Sequence, residues 1–135
     1  MKQEEKELLL KDLSARLPYG VKCNVSGVQQ SITLTAIDVF SDYPYKFGVV
    51  QFSCTTNVKP YLRPMSSMTE EEKKELGDTI IKLELEHLEY EEGFNVKASK
   101  SSTFEIDFYN SHHIDYRGLI GMDLALKAET STYDF

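Results

Sequence analysis

The sequence predicts an α+β fold in a single domain spanning residues 1–135: an N-terminal helix, a three-stranded antiparallel meander, and two or three helices packed on the sheet. Three observations predict this class. The chain begins with a leucine-rich run of helix formers, β-branched residues and turns follow, and helical patterns resume after a proline-containing segment. A chain of this length buries roughly two-thirds of its unfolded surface, so the fold needs no disulfide.

The first helix is expected over Lys2–Leu17, because Leu10, Leu13 and Leu17 recur at helical spacing and Pro18 cannot continue the helix. β-Branched residues and alternation then predict three strands, which cover Val21–Val25, Ser31–Phe40 and Phe47–Cys54. The short turns between these strands favour an antiparallel meander. A sheet this small needs one apolar face covered, and the helices are the available cover.

Lys59–Pro64 is expected to be extended, because each proline disfavours the helical conformation of the residue before it. A second helix is predicted to begin after Thr69, since Thr69 and Glu72 form a capping box. Ile81–Glu86 also alternates as a strand does, but the cap and the Glu, Lys and Leu content favour a helix.

The polar stretch Lys97–Ser102 is predicted to be a mobile loop. Ser102 and Glu105 offer another capping box, which predicts a further helix, although alternate apolar residues fit a strand equally well. In the helix, one face would carry Phe104, Phe108 and His112.

Asp115 is suited to cap a short helix through Ile120. After it, Leu124–Ala128 adds an edge strand or packs as a coil. Cys23 and Cys54 lie in apolar or alternating runs, without a C-x-x-C motif, and are predicted to be buried free thiols.

The net charge of −7 lies within one segment: Thr69–Glu92 holds ten acids against three bases, and the rest of the chain is neutral. Binding to nucleic-acid phosphates normally requires a basic face, so no nucleic-acid partner is expected. The first residues lack the pattern of a signal peptide, and no apolar run is long enough to span a membrane. A cytoplasmic protein without membrane association is expected.

The densest group of reactive side chains is His112, His113, Asp115, Tyr116 and Arg117. Adjacent histidines on a helix point about 100° apart, whereas a zinc site on one helix normally uses i and i+4. The structural interpretation is that one histidine fills the helix face below Phe108 and the other binds the last carbonyl groups. Asp115 then acts as an N-cap, Tyr116 packs with its hydroxyl at the surface, and Arg117 pairs with the acidic helix.

No nucleophile elbow and no phosphate-binding loop is present, so no catalytic set and no cofactor is predicted. Tyr43-Pro44-Tyr45 and Lys59–Pro64 place tyrosines and an arginine beside rigid prolines, and exposed Tyr and Arg are the residues that anchor protein interfaces. The alternative is that these tyrosines close the end of the sheet. The sequence favours a non-enzymatic interaction or regulatory protein that engages an unknown protein partner through tyrosine-rich loops and the Thr69–Glu92 helix. The candidate binding residues are Tyr43, Tyr45, Tyr61, Arg63, His112, His113, Asp115, Tyr116 and Arg117. The alternative is a small metal-dependent enzyme centred on His112, His113 and Asp115.

Two segments, Lys59–Glu72 and Ser111–Ile120 with the following Leu124-Ala125-Leu126, resemble a family of small uncharacterised proteins encoded by gut bacteria, their phages and mobile elements. In that family an Asn-Ala-His-His-Phe-Asp-Tyr-Arg-Gly-Leu-Ile pattern recurs, from which Ser111 and Ile114 depart. The resemblance implies kinship, and it favours a helix before His112. It implies no activity, cofactor or partner.

Overall fold

The structure, a computed structural model, describes residues 2–48, 50–52, 58–89, 94–129 and 131–133. Within these ranges the α-helices are α1 (Gln3–Arg16), α2 (Glu70–Glu89) and α3 (Phe94–Ser111), and short 3₁₀-helices span Leu17–Tyr19 and Met65–Ser67. The strands are β1 (Lys22–Val25), β2 (Ile32–Thr33), β3 (Ala36–Ile37), β4 (Tyr45–Phe47), β5 (Val50–Phe52), β6 (Val58–Leu62) and β7 (Leu126–Lys127). This mixture of helix and strand in one small domain is compatible with the predicted α+β class.

Helix α1 confirms the predicted N-terminal helix, and one of its faces is buried. The buried residues are Leu9, Asp12, Leu13 and Arg16, which recur at helical spacing. The two leucines pack in an apolar cluster with residues of the strands, among them Val21, Val25 and Val58. Gly20 follows the helix at φ +70°, a conformation that glycine adopts without steric cost.

The strands form two sheets, in the orders β2-β1-β6-β7 and β3-β4-β5, so the single predicted meander is wrong. The predicted strand Ser31–Phe40 is divided between the sheets. The Leu34 N–H donates to Val21 O at 3.0 Å, and the Thr35 N–H donates to Lys46 O at 2.8 Å. Since successive N–H groups of an extended chain point to opposite sides, one residue step moves the chain from the first sheet to the second. The strands β3, β4 and β5 do form a smaller antiparallel meander.

The predicted strand Phe47–Cys54 is a hairpin in its described part. Strand β4 ends at Phe47 and β5 begins at Val50, and Gly48 between them has φ +67°. Cys54 lies outside the described residues, whereas Cys23 is a buried free thiol as predicted.

Lys59–Pro64 is extended as predicted, and β6 lies inside the four-stranded sheet between β1 and β7. Pro60 is fully buried there, opposite Cys23 of β1. A proline is unusual in an interior strand because it cannot donate to the ladder. Here β7 pairs only with Tyr61 and Leu62, so the ladder on that side begins after the proline.

Helix α2 begins as its capping box predicts: Glu72 N–H donates to Thr69 Oγ1 at 3.1 Å, and Thr69 N–H donates to Glu72 Oε1 at 2.9 Å. Residues 81–86 are helical, as favoured. Helix α3 already begins at Phe94, so the loop predicted over Lys97–Ser102 and the cap at Ser102 are wrong. That stretch contains no proline or glycine, and contact with α2 stabilises the helix. No helix in the described ranges is long and apolar enough to cross a membrane.

Candidate functional site

Helix α3 ends in a Schellman motif with a histidine in the left-handed position. His113 N–H donates to Asn110 O at 3.2 Å, Ile114 N–H donates to Tyr109 O at 2.8 Å, and His113 has φ +60°. This conformation costs a residue other than glycine about 1–2 kcal/mol. The side chain of Ile114 is fully buried in a cluster with Phe108, which holds the chain in this turn.

Asp115 binds backbone N–H groups as a capping residue does, but no helix follows it. Its Oδ1 accepts from Leu119 N–H at 2.8 Å, and its Oδ2 accepts from Ile120 N–H at 2.9 Å. A helix N-cap instead binds an N–H two or three residues ahead. The carboxylate therefore closes a wider loop, in which Gly118 has φ +77°, and the short helix predicted through Ile120 is wrong.

A buried charged network joins α1 to the residues after α3. Asp12 accepts from Arg16 Nε at 2.9 Å and from Arg117 Nε at 3.1 Å. Arg16 Nη2 donates to Ile114 O at 2.7 Å. The predicted pairing of Arg117 with the acidic helix is wrong, because the fully buried carboxylate of Asp12 takes this cation as a second partner.

Tyr116 packs against the same network. Its ring stacks on Tyr109 with centroids 5.6 Å apart, and the guanidinium carbons of Arg16 and Arg117 lie 5.3 and 5.0 Å from its centroid. Arg117 Nη2 donates to the Tyr116 hydroxyl at 3.0 Å. Tyr116 packs as predicted, its hydroxyl accepts a part-buried hydrogen bond, and both residues have structural partners.

His113 stacks on Tyr133, with ring centroids 3.6 Å apart. Burial, reinforced by the positive charge of Arg16, lowers the pKa of His113 to about 4, so the ring is neutral near pH 7. The Tyr133 hydroxyl donates to Tyr61 O at 2.7 Å and accepts from Lys22 N–H at 2.9 Å. This arrangement fixes Tyr133 on β1 and β6.

Arg63 and Glu72 form a bidentate ion pair at the start of α2, with Nη1–Oε2 and Nη2–Oε1 distances of 2.9 and 2.7 Å. The other N–H groups of Arg63 donate to Ser67 Oγ, Ser67 O and His112 O at 3.3, 3.1 and 3.4 Å. All five N–H groups of this guanidinium are therefore engaged within the protein. The bonds from Arg63 lower the pKa of Glu72 to about 2, so its carboxylate stays ionised.

His112 stacks on Phe108 at 4.1 Å, which confirms that one histidine fills this helix face. Its Nδ1 lies 2.9 Å from Phe108 O. Nδ1 also lies 3.1 Å from Ser111 Oγ. In the Nδ1–H tautomer, which donates to the Phe108 carbonyl, Nε2 presents a lone pair. That Nε2 lies 4.0 Å from Glu72 Oε2, beyond hydrogen-bond distance.

The three residues of the metal-enzyme alternative have separate surroundings. His112 lies beside Glu72, His113 stacks on Tyr133, and the two oxygens of Asp115 bind backbone N–H groups. Among the residues that the structure describes, no three His, Cys, Asp or Glu side chains lie close enough to hold a metal ion.

A cavity of about 700 Å³ opens between the start of α2 and the residues of β7. This volume is typical of small-molecule sites. The segments Lys59–Glu72 and Ser111–Ile120 meet beside it, since Arg63 N–H donates to His113 O at 2.7 Å and Asp115 N–H donates to Arg63 O at 2.8 Å. Its lining includes Arg63, Pro64, Glu72, His112, Lys127 and Ala128.

The tyrosines that were predicted to anchor an interface differ in exposure. Tyr43 is 54% exposed, but Tyr45 is 3% exposed and belongs to the apolar core. Tyr61 is half-buried, and its hydroxyl accepts from the Asn24 side chain at 3.3 Å. Tyr45 is thus a core residue and not a surface anchor, because alternation along β4 turns it inward.

Residues 38–44 form the connection between β3 and β4, here called the hairpin tip. At this tip Phe40 is 98% exposed and Val39 is 58% exposed. Asp38 Oδ1 accepts from Phe40 N–H at 3.1 Å, Asp38 N–H donates to Pro44 O at 2.9 Å, and Ser41 N–H donates to Asp38 O at 3.2 Å. The tip therefore has an internally bonded backbone and exposed apolar side chains.

Sequence reasoning missed several of these residues. Phe40 was assigned to the end of a strand, although the turn-forming Ser41 and Asp42 directly after it were a signal. Asp12 and Arg16 were missed as an ion pair, although they share the helical spacing of the neighbouring leucines. The contact of Glu72 with Arg63 had no local signal.

The fold and these surfaces define a small α+β protein with an exposed aromatic hairpin tip and a cavity beside an ion pair. No protein-family model matches the chain, and neither a curated protein nor a solved structure matches it.

Proposed function

We propose that this chain is a non-enzymatic interaction protein that binds a partner protein through the hairpin tip. The observation that carries the proposal is the 98% exposure of Phe40. Val39 and Tyr43 are 58% and 54% exposed in the same tip. Large aromatic side chains that enter a partner's pocket dominate the binding energy of many protein interfaces.

The backbone of the hairpin tip is ordered before any partner binds. Asp38 forms hydrogen bonds with the backbone of Phe40, Ser41 and Pro44. Tyr43 N–H donates to Ser41 Oγ at 3.0 Å. The buried side chains of Pro44 and Tyr45 connect the tip to the core. Binding therefore costs little backbone entropy, and burial of the Phe40 ring contributes about 2–3 kcal/mol.

Charge indicates the chemistry of the partner. Asp38 and Asp42 belong to the tip and place two carboxylates among its exposed apolar side chains. An apolar pocket with a basic rim complements such a surface. An anionic lipid surface would repel it, so the proposed partner is a protein.

We also propose that this chain is related to the small proteins of gut bacteria, their phages and mobile elements. It is supported by the Lys59–Glu72 and Ser111–Ile120 segments alone, and it names no partner.

A photoreactive phenylalanine analogue at position 40 tests the proposal in a lysate of the source organism. The expected result is a defined adduct that is absent when the analogue replaces Met122, which is 45% exposed elsewhere on the surface. The purified partner must then bind the unmodified chain. Identical adducts from both positions, or adducts only with a second copy of this chain, would contradict the proposal.

A further inference from the structure

We propose that the cavity beside Arg63, Glu72 and His112 binds a small uncharged molecule that combines an apolar body with a primary amide or similar NH₂ group. This site does not depend on the hairpin tip or on the function proposed above. The inference rests on which hydrogen-bonding groups of the lining are already used by the protein.

Arg63 is not available to an anionic ligand. Its five N–H groups donate to Glu72, Ser67 and His112. A phosphate or carboxylate would have to displace the Glu72 carboxylate, which binds in the bidentate geometry that guanidinium groups favour. Arg63 therefore forms part of the cavity wall, and it has no N–H group left to donate to a bound anion.

Beside Arg63, the unused groups of Glu72 and His112 are acceptors, whereas Lys127 keeps its donors at the other side of the cavity. An ionised carboxylate has about four acceptor positions. Glu72 uses three of them, for two N–H groups of Arg63 and one of Thr69, which leaves one on Oε2. The lone pair of His112 Nε2 is the second acceptor, 4.0 Å away. Two acceptors cannot bond to each other, but one NH₂ nitrogen about 2.9 Å from each can donate to both.

The charges of the lining favour an uncharged ligand. Arg63 and Lys127 contribute two cations, and Glu72 and Glu129 contribute two anions. A charged ligand therefore gains no net attraction from this set. Pro64 and Ala128 provide apolar surface for the body of the molecule.

Benzamide is the probe for this site, followed by the amide resonances of the ¹⁵N-labelled full chain. Its expected dissociation constant is on the order of 1–10 mM, with shifts at Thr69, His112 and Ala128. N,N-dimethylbenzamide lacks the donor hydrogens, and benzoate replaces the amide by a charge. Both are expected to bind at least about tenfold more weakly.

Two variants place the binding in the cavity. His112→Phe keeps a ring on Phe108 and removes Nε2, and it is expected to weaken benzamide binding about tenfold. Ala128→Leu fills the cavity without changing the polar groups, and is expected to abolish binding. Tyr43→Ala in the hairpin tip is the matched control and should bind as the wild type does.

Equal binding of benzamide and N,N-dimethylbenzamide, or unchanged binding by Ala128→Leu, would overturn the proposal. So would the absence of cavity shifts at about 20 mM benzamide. None of these results bears on a partner at the hairpin tip, so failure of this site is distinguishable from failure of the proposed function.

Discussion

Replacing Asp12 by alanine tests whether the buried network holds α1 against the end of α3. The substitution removes two charge-assisted hydrogen bonds, of 2.9 and 3.1 Å, and leaves the fully buried Arg16 with the carbonyl of Ile114. Removing one partner of a buried ion pair costs about 3–5 kcal/mol. Arg117 is 20% exposed and can regain water, so we expect the lower part of that range.

The expected loss in the free energy of unfolding is about 3–4 kcal/mol, with a fall in Tm of about 10–15 °C. Urea titration followed by circular dichroism measures the first quantity, and a thermal scan measures the second. Glu4→Ala, on the exposed side of the same helix, is the control and should change stability by less than about 0.5 kcal/mol.

A double variant separates charge from packing. Asp12→Leu with Arg16→Met replaces the ion pair by apolar side chains and is expected to recover at least half of the loss, because no buried charge remains without a partner. A loss below about 1 kcal/mol in Asp12→Ala would refute the reasoning. A double variant less stable than Asp12→Ala would refute it as well.

Three further predictions concern single residues. The pKa of His113 is about 4 in the folded state and 6.5 ordinarily. The contribution of the neutral ring to the free energy of unfolding is therefore fully present above pH 6.5, and up to about 3 kcal/mol of it is lost as pH falls towards 4. Urea titrations across this range should show this loss in wild type and a much smaller one in His113→Phe, where only carboxylates such as Glu72 still titrate. Asp115→Ala leaves the N–H groups of Leu119 and Ile120 without their acceptor, and should lower the free energy of unfolding by about 2–3 kcal/mol in the same assay. A loss of only about 0.3 kcal/mol would contradict the role of Asp115 as their acceptor. Burial raises the pKa of Cys23 to about 12, so iodoacetamide near pH 8 should label it only in denaturant, and rapid labelling of the native protein, seen by peptide mass spectrometry, would contradict its burial.

Local signals explain which elements could be predicted from the sequence. The capping box of Thr69 and Glu72 places both hydrogen-bond partners within one turn. The start of α2 can therefore be predicted from a segment of only four residues. The extended β6 follows similarly from its prolines. Asp115 was correctly recognised as a ligand of backbone N–H groups, although the loop it closes is not helical.

Other features depend on partners that are distant in the chain. The division of the Ser31–Phe40 strand is decided by Val21 on one side and Lys46 on the other. The early start of α3 depends on its contact with α2. Arg63 pairs with Glu72, and Arg117 pairs with Asp12. The sequence contains many carboxylates, and its charge pattern does not indicate which of them each arginine binds. The exposure of Phe40 likewise depends on where the strand ends, because β3 stops at Ile37.

The most direct test of the central claim is the affinity of the cross-linked partner protein for the wild type and for Phe40→Ala, measured by isothermal titration calorimetry with Met122→Ala as control. Loss of an anchor of about 2 kcal/mol predicts a dissociation constant about 30-fold higher for Phe40→Ala and unchanged for Met122→Ala. A change below about threefold for Phe40→Ala, or an equal change in both variants, would contradict binding through the hairpin tip.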